Sequence, residues 1–180
     1  MEANPSIIKD ELTGAFNNTY FHERLQQEIH KSDRYGKPCS IVRFDIDNFK
    51  DVNEKYGFEL GNIILKQVAD LCKKGTRGSD ILARQASEEF LVILPEIGLN
   101  DANVFAERIR KSIENNENFG SEKQRVKITI SMGIATYSRK EARDITQLMQ
   151  LLDTAVFQAK QDGRNCIVLY TTILPPDEFI

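Results

Sequence analysis

Residues 39–50 read Cys-Ser-Ile-Val-Arg-Phe-Asp-Ile-Asp-Asn-Phe-Lys, a mostly apolar run followed by a polar end. Residues 39–46 are rich in β-branched and aromatic side chains, a composition that predicts a mostly buried strand. The strand ends in a polar cluster that includes Asp45 and Asp47. Because ligands of α/β sheets favour the C-terminal ends of strands, this acidic end is the first candidate for a functional site.

Helical and strand patterns alternate on both sides of this strand. Apolar residues at helical spacing predict helices, and alternating or short apolar runs predict strands. The predicted elements are a helix through Phe21, Leu25 and Ile29 that stops at Gly36, the strand 39–46, a polar turn region, a helix through Ile64, Val68 and Cys72, a hairpin of strands 80–84 and 89–94, a helix 102–113 capped by Asn100, a long strand 126–134, a helix 148–159 that begins after Asp144 and ends at Asp162-Gly163, and a strand 165–170. This order predicts an α/β (α+β) fold with a mixed sheet and helices packed on it.

Charge and hydropathy exclude several classes of protein. The 24 Lys and Arg residues against 27 Asp and Glu residues give a net charge of −3, which argues against a protein that binds nucleic-acid polymers. The longest apolar run, Phe90 to Leu94, is far shorter than the roughly 20 residues that cross a bilayer. The N-terminal residues lack the pattern of a secretion signal. We therefore expect no membrane contact by this domain.

The cysteine and histidine residues carry no pattern of a metal or catalytic site. Cys39, Cys72 and Cys166 are odd in number, far apart and set among apolar neighbours, so we expect small buried hydrophobic side chains. His22 and His30 are the only histidines and lie in one helical stretch. A His/Cys zinc site and a Ser-His-Asp triad are therefore poor interpretations.

Two acidic groups and three cations indicate a different chemistry. Asp45 lies between Phe44 and Ile46, where an unpaired carboxylate is costly, and Glu88-Glu89 lie at the tip of the predicted hairpin. Each acidic group also has a purely structural interpretation, in which Asp45 caps a helix and Glu88-Glu89 form a solvated turn. Lys50, Lys160 and Arg164 could equally complement helix dipoles. Together, however, carboxylates for a metal and cations for oxyanions are the equipment of phosphoryl or nucleotidyl transfer.

Several separated motifs occur in an order that closely resembles the GGDEF family, the bacterial signal-transduction domain known as diguanylate cyclase, which joins two GTP molecules into cyclic di-GMP. The resemblance covers nearly the whole chain, through the segments 10–14, 45–53, 57–61, 86–90, 131–135 and 159–165. It implies a five-stranded central sheet surrounded by helices, similar to nucleotidyl cyclase and polymerase palm domains. It also implies an N-terminal lead-in at 1–9, a GGDEF domain at 10–170 and a C-terminal tail at 171–180.

The resemblance implies roles for matching positions. Asp45, the carbonyl of Ile46 and Glu88 would bind Mg²⁺, or Mn²⁺ in its place. Glu88 would also help to activate the attacking ribose hydroxyl, Glu89 would support that geometry, and Lys50 would hold phosphate oxygens. The remaining nucleotide-binding positions are Phe49, Asn53, Asn62, Ser87, Lys160 and Arg164. Each domain would hold one GTP, so turnover would require a homodimer.

The chain departs from the family pattern at the signature and on the guanine side. Residues 86–90 read Ala-Ser-Glu-Glu-Phe where the family has Gly-Gly-Asp/Glu-Glu-Phe, so Ala86 and Ser87 replace glycines that allow positive φ at a hairpin tip. Phe58 replaces a usual His, and Asn62 replaces an Asp that accepts hydrogen bonds from guanine. Asn18 also replaces a common Arg, without a clear consequence. These changes predict impaired catalysis on a retained fold.

A further motif, Arg77-Gly78-Ser79-Asp80, matches the family's RxxD inhibitory site for cyclic di-GMP. An Arg can stack on guanine and donate to its Hoogsteen edge, and an Asp can accept from its amino group. The alternative is a surface ion pair in the turn before a strand.

The residues are compatible with three functions. The first is an impaired GGDEF domain that binds GTP or cyclic di-GMP, the second is a working diguanylate cyclase, and the third is a structural or dimerisation module without a nucleotide. The family's use of GTP predicts a cytoplasmic location, with the possibility that the domain is the cytoplasmic part of a longer, membrane-bound protein.

Overall fold

The computed structural model describes residues 8–137 and 144–170, and the predicted tail lies outside them. In this part of the chain, a five-stranded sheet lies between two layers of helices. The helices are α1 (Asn18–Tyr35), α2 (Phe49–Tyr56), α3 (Phe58–Gly75), α4 (Leu99–Glu114) and α5 (Ile145–Gln161), and the strands are β1 (Cys39–Ile46), β2 (Ile81–Ala86), β3 (Glu89–Pro95), β4 (Ile130–Tyr137) and β5 (Ile167–Tyr170). No helix within these ranges has the length and hydrophobicity that a bilayer crossing requires.

Strand β1 is the centre of the sheet. The strand order is β2-β3-β1-β4-β5, with β1 antiparallel to both β3 and β4 and with β5 parallel to β4. The predicted five-stranded mixed sheet is therefore confirmed. Because β1 has a neighbour on both sides, its C-terminal end is flanked by residues from two other strands.

The side chains of β1 point alternately to the two faces of the sheet, so its apolar residues contribute to two core clusters. Val42 and Phe44 pack into the core cluster that contains residues of α3 and α4, whereas Ile41 packs into the cluster that contains residues of α1 and α5. Successive side chains of a strand point to opposite faces, so Arg43 and Asp45 share the face of Ile41. This places the two charged side chains of β1 under helix α5.

Local signals predicted most helix ends correctly. Gly36 ends α1 in a left-handed conformation (φ 69°) with its N–H bonded to the carbonyl of Ser32. The Asp144 side chain caps α5 by accepting from the N–H of Gln147 at 2.8 Å. Cys39 and Cys72 are buried, and burial raises the pKa of each thiol to about 12, so these two cysteines are the inert hydrophobic side chains that we expected.

Three local predictions were wrong. The polar turn region after β1 contains helix α2, whose eight residues bury only Phe49 and Val52 and so carry a weak amphipathic signal. Strand β4 begins at Ile130 rather than at 126, because its partner β1 ends at Ile46, directly opposite Ile130. Helix α4 is capped by Gly98 rather than by Asn100.

Replacing Gly133 with Ala should destabilise the domain by about 1–3 kcal/mol, because the added carbon overpacks the interface of β4 with α5. A Cβ atom at Gly133 would lie 2.8 Å from Cβ of Ala155 and 2.9 Å from the backbone nitrogen of Val156. Urea unfolding measures the change. Gly78→Ala is the control, since a Cβ atom there meets nothing within 4 Å. Equal unfolding midpoints for the two variants would contradict the close approach.

Candidate functional site

Asp45 lies at the C-terminal end of β1, where three strands and one helix meet. It is directly opposite Glu89 of β3 and Ser131 of β4, and it is 6% exposed. The Nζ atom of Lys160, on α5, lies 3.0 Å from Oδ2 of Asp45. The two residues are 115 positions apart in sequence (160 minus 45), and the fold joins them as an ion pair.

Several carboxylates share this end of the sheet. Burial raises the pKa of Asp45, the Lys160 ammonium opposes that effect, and the negative charges of Glu88 and Glu89 raise the pKa further. The backbone N–H of Ile46 also points to the carbonyl oxygen of Glu88 at 3.4 Å. Asp45 is distant in sequence from Glu88 and Glu89, yet it interacts electrostatically with both.

The carboxylate and carbonyl oxygens at this end of the sheet are suitable ligands for a hard divalent cation, but they do not form a complete coordination shell. Carboxylate and carbonyl oxygens are the ligands that Mg²⁺ prefers, and Mg²⁺ usually completes its shell with water and phosphate oxygens. Within residues 8–137 and 144–170, no group of three or more His, Cys, Asp and Glu side chains is arranged to hold a metal ion. A cation held by fewer than three such side chains would need further oxygen ligands from backbone carbonyls, water or a bound molecule.

Glu89 is held by an arginine that the sequence analysis missed. Nη2 of Arg43 lies 3.2 Å from Oε1 of Glu89, and Arg43 also pairs with Asp153 of α5. The Arg43 side chain is 13% exposed. A charged residue inside an otherwise apolar strand, two positions before Asp45, was a signal that could have identified it.

The hairpin tip requires left-handed backbone at one of the two replaced glycines. Ser87 has φ 30°, so the expected strain is confirmed there. Ala86 lies in β2, pairs with Glu89 and has no positive φ, so the same expectation was wrong for Ala86. The tip is held by Arg84, whose Nε donates to the carbonyl of Ser87 at 2.8 Å while its Nη1 contacts Asp10.

The turn after β1 presents an uncapped helix N-terminus. Asp47 is buried and accepts hydrogen bonds from Oγ1 of Thr129 at 2.7 Å and Oγ of Ser131 at 2.6 Å. Asn48 then adopts left-handed backbone (φ 53°), and no side chain caps helix α2, which follows at Phe49. The free N–H groups at the start of a helix are suited to bind an anion. Phe49 itself is buried, so it offers its backbone rather than its ring.

The candidate phosphate-binding cations differ in their surroundings. Lys160 is half-buried and paired with Asp45. The Lys50 side chain is 85% exposed and lies 3.5 Å from Glu54, one helical turn away. Arg164 is exposed, and its backbone is left-handed with φ 65°. The fold thus brings Lys160 to the acidic site directly, whereas Lys50 and Arg164 extend into solvent.

The candidate guanine site lies between α2 and α3, where Gly61 allows close contact. A Cβ atom at Gly61 would lie 1.9 Å from Oδ1 of Asn53, so a larger residue at position 61 would displace the Asn53 side chain. Oδ1 of Asn53 is buried and has no hydrogen-bond partner in the described part of the chain. Asn62 and Phe58 are exposed nearby on α3. An unsatisfied buried acceptor beside an open helix face can accept a hydrogen bond from a molecule bound there.

Arg77 and Asp80 line a second cavity, of about 590 Å³, away from the acidic site. Asp80 uses its carboxylate to fix the turn, because Oδ2 accepts from the N–H of Arg77 at 2.7 Å. The ion pairs among the described residues do not include Arg77, and the contact within the turn is the one from its backbone N–H to Asp80. Arg108, which the sequence analysis missed, adds a second guanidinium from α4, and the other lining residues are Leu94, Ile97, Asp101, Val104 and Phe105.

Comparisons with known proteins agree with this geometry. The family model described as "Diguanylate cyclase, GGDEF domain" matches residues 7–166. The chain is 34% identical over 159 residues to diguanylate cyclase A of Treponema denticola, covering 87% of this chain and 42% of that protein. It therefore belongs to the GGDEF family. It spans less than half the length of this curated relative.

Solved structures show the same fold. The diguanylate cyclase SiaD of Pseudomonas aeruginosa, solved in complex with its activator SiaC, matches with a TM-score of 0.85 and 31% identity, covering 91% of this chain and 62% of SiaD. The active GGEEF domain of a diguanylate cyclase from Vibrio cholerae matches with a TM-score of 0.74 and 26% identity, covering 81% of this chain and 91% of that domain. The fold implied by the motifs is confirmed.

Proposed function

We propose that this domain binds GTP together with a divalent cation and also binds cyclic di-GMP, with impaired diguanylate cyclase activity. The observation that carries the proposal is the convergence of Asp45, Lys160 and Glu88 at the end of β1, beside an uncapped helix N-terminus. This combination offers oxygen ligands to a cation and both charge and N–H donors to phosphates.

Asp45, Glu88 and the carbonyl of Ile46 would hold the cation, Mg²⁺ or Mn²⁺. When bound, the cation neutralises phosphate charge and stabilises the charge that develops on the reacting oxygens. Lys160 offsets the buried charge of Asp45 and offers its remaining N–H donors to phosphate oxygens. Glu89, held by Arg43, supports the position of Glu88 at the hairpin tip.

The nucleotide would extend from α2 toward the end of α5. The N–H groups at Phe49 and Lys50 and the charges of Lys50, Lys160 and Arg164 would hold the triphosphate. Asn53 and Asn62 would contact guanine. A neutral Asn62 offers one acceptor together with a donor, so base selectivity should be weaker than with an Asp.

Impaired catalysis follows from Ser87. Its side chain occupies the tip where the sugar and α-phosphate would approach, and its φ of 30° adds strain. An in-line reaction loses on the order of 100-fold in rate for about 1 Å of misplacement. Glu88 would act as the base toward the ribose hydroxyl only when a partner domain presents its own GTP, so turnover requires a homodimer.

A working cyclase is the second candidate. The carboxylates 45, 88 and 89 and the cation of Lys160 are all present. The similar Vibrio cholerae domain is described as active with a GGEEF signature, so a Glu at the third position is compatible with activity in that protein. The third candidate, a module that binds no nucleotide, leaves the buried Asn53 oxygen and the uncapped α2 unexplained.

Incubation of the protein with GTP and Mg²⁺, followed by chromatography for cyclic di-GMP, separates the first two candidates. Trace product together with measurable GTP binding supports the proposal, and robust turnover supports the working cyclase.

We further propose that the domain comprises residues 10–170 and acts in the cytoplasm, where GTP is available.

Replacing Arg77 with Ala should weaken cyclic di-GMP binding by about tenfold or more, because it removes a guanidinium that stacks on and donates to guanine. Calorimetry with cyclic di-GMP measures the change. Arg34→Ala removes an arginine from the end of α1 and should leave the affinity unchanged. Absence of binding by the wild type, or equal affinity of the Arg77→Ala variant, would contradict the assignment of this cavity.

A further inference from the structure

The turn that carries Arg164 is strained and needs external support. Gly163, Arg164 and Asn165 all have positive φ, at 106°, 65° and 48°. Left-handed backbone costs roughly 1–2 kcal/mol for an ordinary side chain and less for Asn, so this turn persists only if other contacts hold it. One such contact is local, from the N–H of Arg164 to the carbonyl of Ala159 at 3.0 Å.

Asn165 links this turn to the loop after β1. Its backbone N–H donates to Oδ2 of Asp47 at 3.1 Å. Asp47 is the buried carboxylate that immediately precedes Asn48 and the uncapped start of α2. A single residue therefore joins the two segments that would hold the triphosphate in the proposed function.

Helix α4 clamps Asn165 from the other side. Nη1 of Arg110 lies 2.8 Å from Oδ1 and 3.3 Å from the carbonyl oxygen of Asn165. The Nδ2 atom of Asn165 donates to Oε1 of Glu114 at 2.7 Å. Both backbone groups and both side-chain atoms of Asn165 are thus bonded, which fixes the conformation of the turn.

Arg110 is itself held rigidly. Its Nε and Nη2 bind the two carboxylate oxygens of Glu107 at 2.6 and 3.0 Å, and its Nη1 binds Glu114 at 3.1 Å. The Arg110 side chain is only 11% exposed. A planar guanidinium can serve two carboxylates and an amide at once, and a lysine ammonium cannot reproduce that fork.

We infer that Arg110 is a positioning residue for phosphate binding: through Asn165 it sets the Asp47 loop and the Arg164 turn in the geometry that receives the triphosphate. The inference rests on the proposed function and extends it to a residue on a helix that carries none of the proposed GTP ligands. A purely structural role would predict a loss of stability without a selective loss of phosphate recognition.

The test compares Arg110→Met and Arg110→Lys with Arg24→Met, which removes another half-buried helical arginine paired with a glutamate, Glu28. Calorimetry with Mg²⁺ uses the β,γ-imido analogue of GTP and, separately, guanosine. Arg110→Met should weaken binding of the analogue by roughly tenfold while changing guanosine affinity by less than about threefold. Arg110→Lys should bind the analogue almost as weakly as Arg110→Met does. Arg24→Met should change the affinity for neither the analogue nor guanosine.

Hydrogen–deuterium exchange on the free proteins provides a readout that needs no ligand. In Arg110→Met, segments 47–50 and 163–166 should exchange roughly tenfold faster while β3 stays protected. Unchanged exchange in these segments, or equal loss of affinity for guanosine and the analogue, would overturn the inference. If the wild type binds no nucleotide, the proposed function fails separately, and the exchange result still decides whether Arg110 holds the turn.

Discussion

Replacing Asp45 with Asn should abolish the Mg²⁺-dependent part of GTP binding, with a loss of affinity of about 100-fold for the β,γ-imido analogue. The substitution removes the buried carboxylate at the end of β1 that pairs with Lys160. An amide offers one weak oxygen ligand in its place. Calorimetry with and without Mg²⁺ measures the change, and binding in the absence of metal should not decrease, because Lys160 becomes free to contact phosphate.

The stability of the Asp45→Asn variant separates a lost metal site from misfolding. Folding raises the pKa of Asp45, through burial and the nearby charges of Glu88 and Glu89, so its ionised form lowers stability at any pH above the folded-state pKa. A neutral Asn should therefore keep or raise the melting temperature at pH 7. Asp70→Asn, which neutralises an exposed acid beside Lys73, is the control and should retain Mg²⁺-dependent binding. Equal Mg²⁺ dependence in both variants would contradict the assignment of Asp45.

Replacing Ser87 with Gly should raise the rate of cyclic di-GMP formation by roughly ten- to 100-fold. The change relieves a left-handed backbone strain of about 1 kcal/mol and clears the hairpin tip beside Glu88. Initial rates with GTP and Mg²⁺, determined by chromatography, measure the effect at a protein concentration that favours the dimer.

Ala86→Gly is a matched control for the Ser87 prediction. Ala86, like Ser87, stands where the family signature has a glycine, but Ala86 lies in β2 and its φ is not positive. We expect little gain from Ala86→Gly, whereas a simple requirement for the glycine-rich signature would make the two substitutions equivalent. If Ser87→Gly leaves the rate unchanged, the defect lies elsewhere, and Asn62→Asp becomes the next variant to examine.

The elements that the sequence predicted well are those whose signals are local and strong. The run 39–46 combines β-branched residues with a clear end, and α1 and α5 have both an apolar stripe and a terminal signal at Gly36 and Asp144. Helix α2 was missed because eight residues with two buried side chains form too short a pattern. The start of β4 was misplaced because it depends on where its partner strand ends, which is tertiary information.

Some residues of the candidate site could also be predicted from the sequence, and others could not. An acid inside an apolar strand indicated that Asp45 needs a partner, and the resemblance to the family motifs implied that Glu88 lies near it. Arg43, Arg108 and Arg110 were missed because their roles depend on contacts across the fold: Arg43 reaches β3 and α5, Arg108 lines a cavity with Arg77, and Arg110 reaches Asn165. No spacing along the chain encodes those contacts.

The proposed function depends on Asp45 and Glu88 binding one divalent cation together with GTP. The most direct measurement is a crystal structure of the protein with Mn²⁺ and the β,γ-imido analogue of GTP, with anomalous data collected to locate the manganese. We expect an anomalous peak between the carboxylates of Asp45 and Glu88, from a manganese ion bonded to both and to phosphate oxygens. An analogue bound elsewhere, or a map without manganese between these two carboxylates, would contradict it.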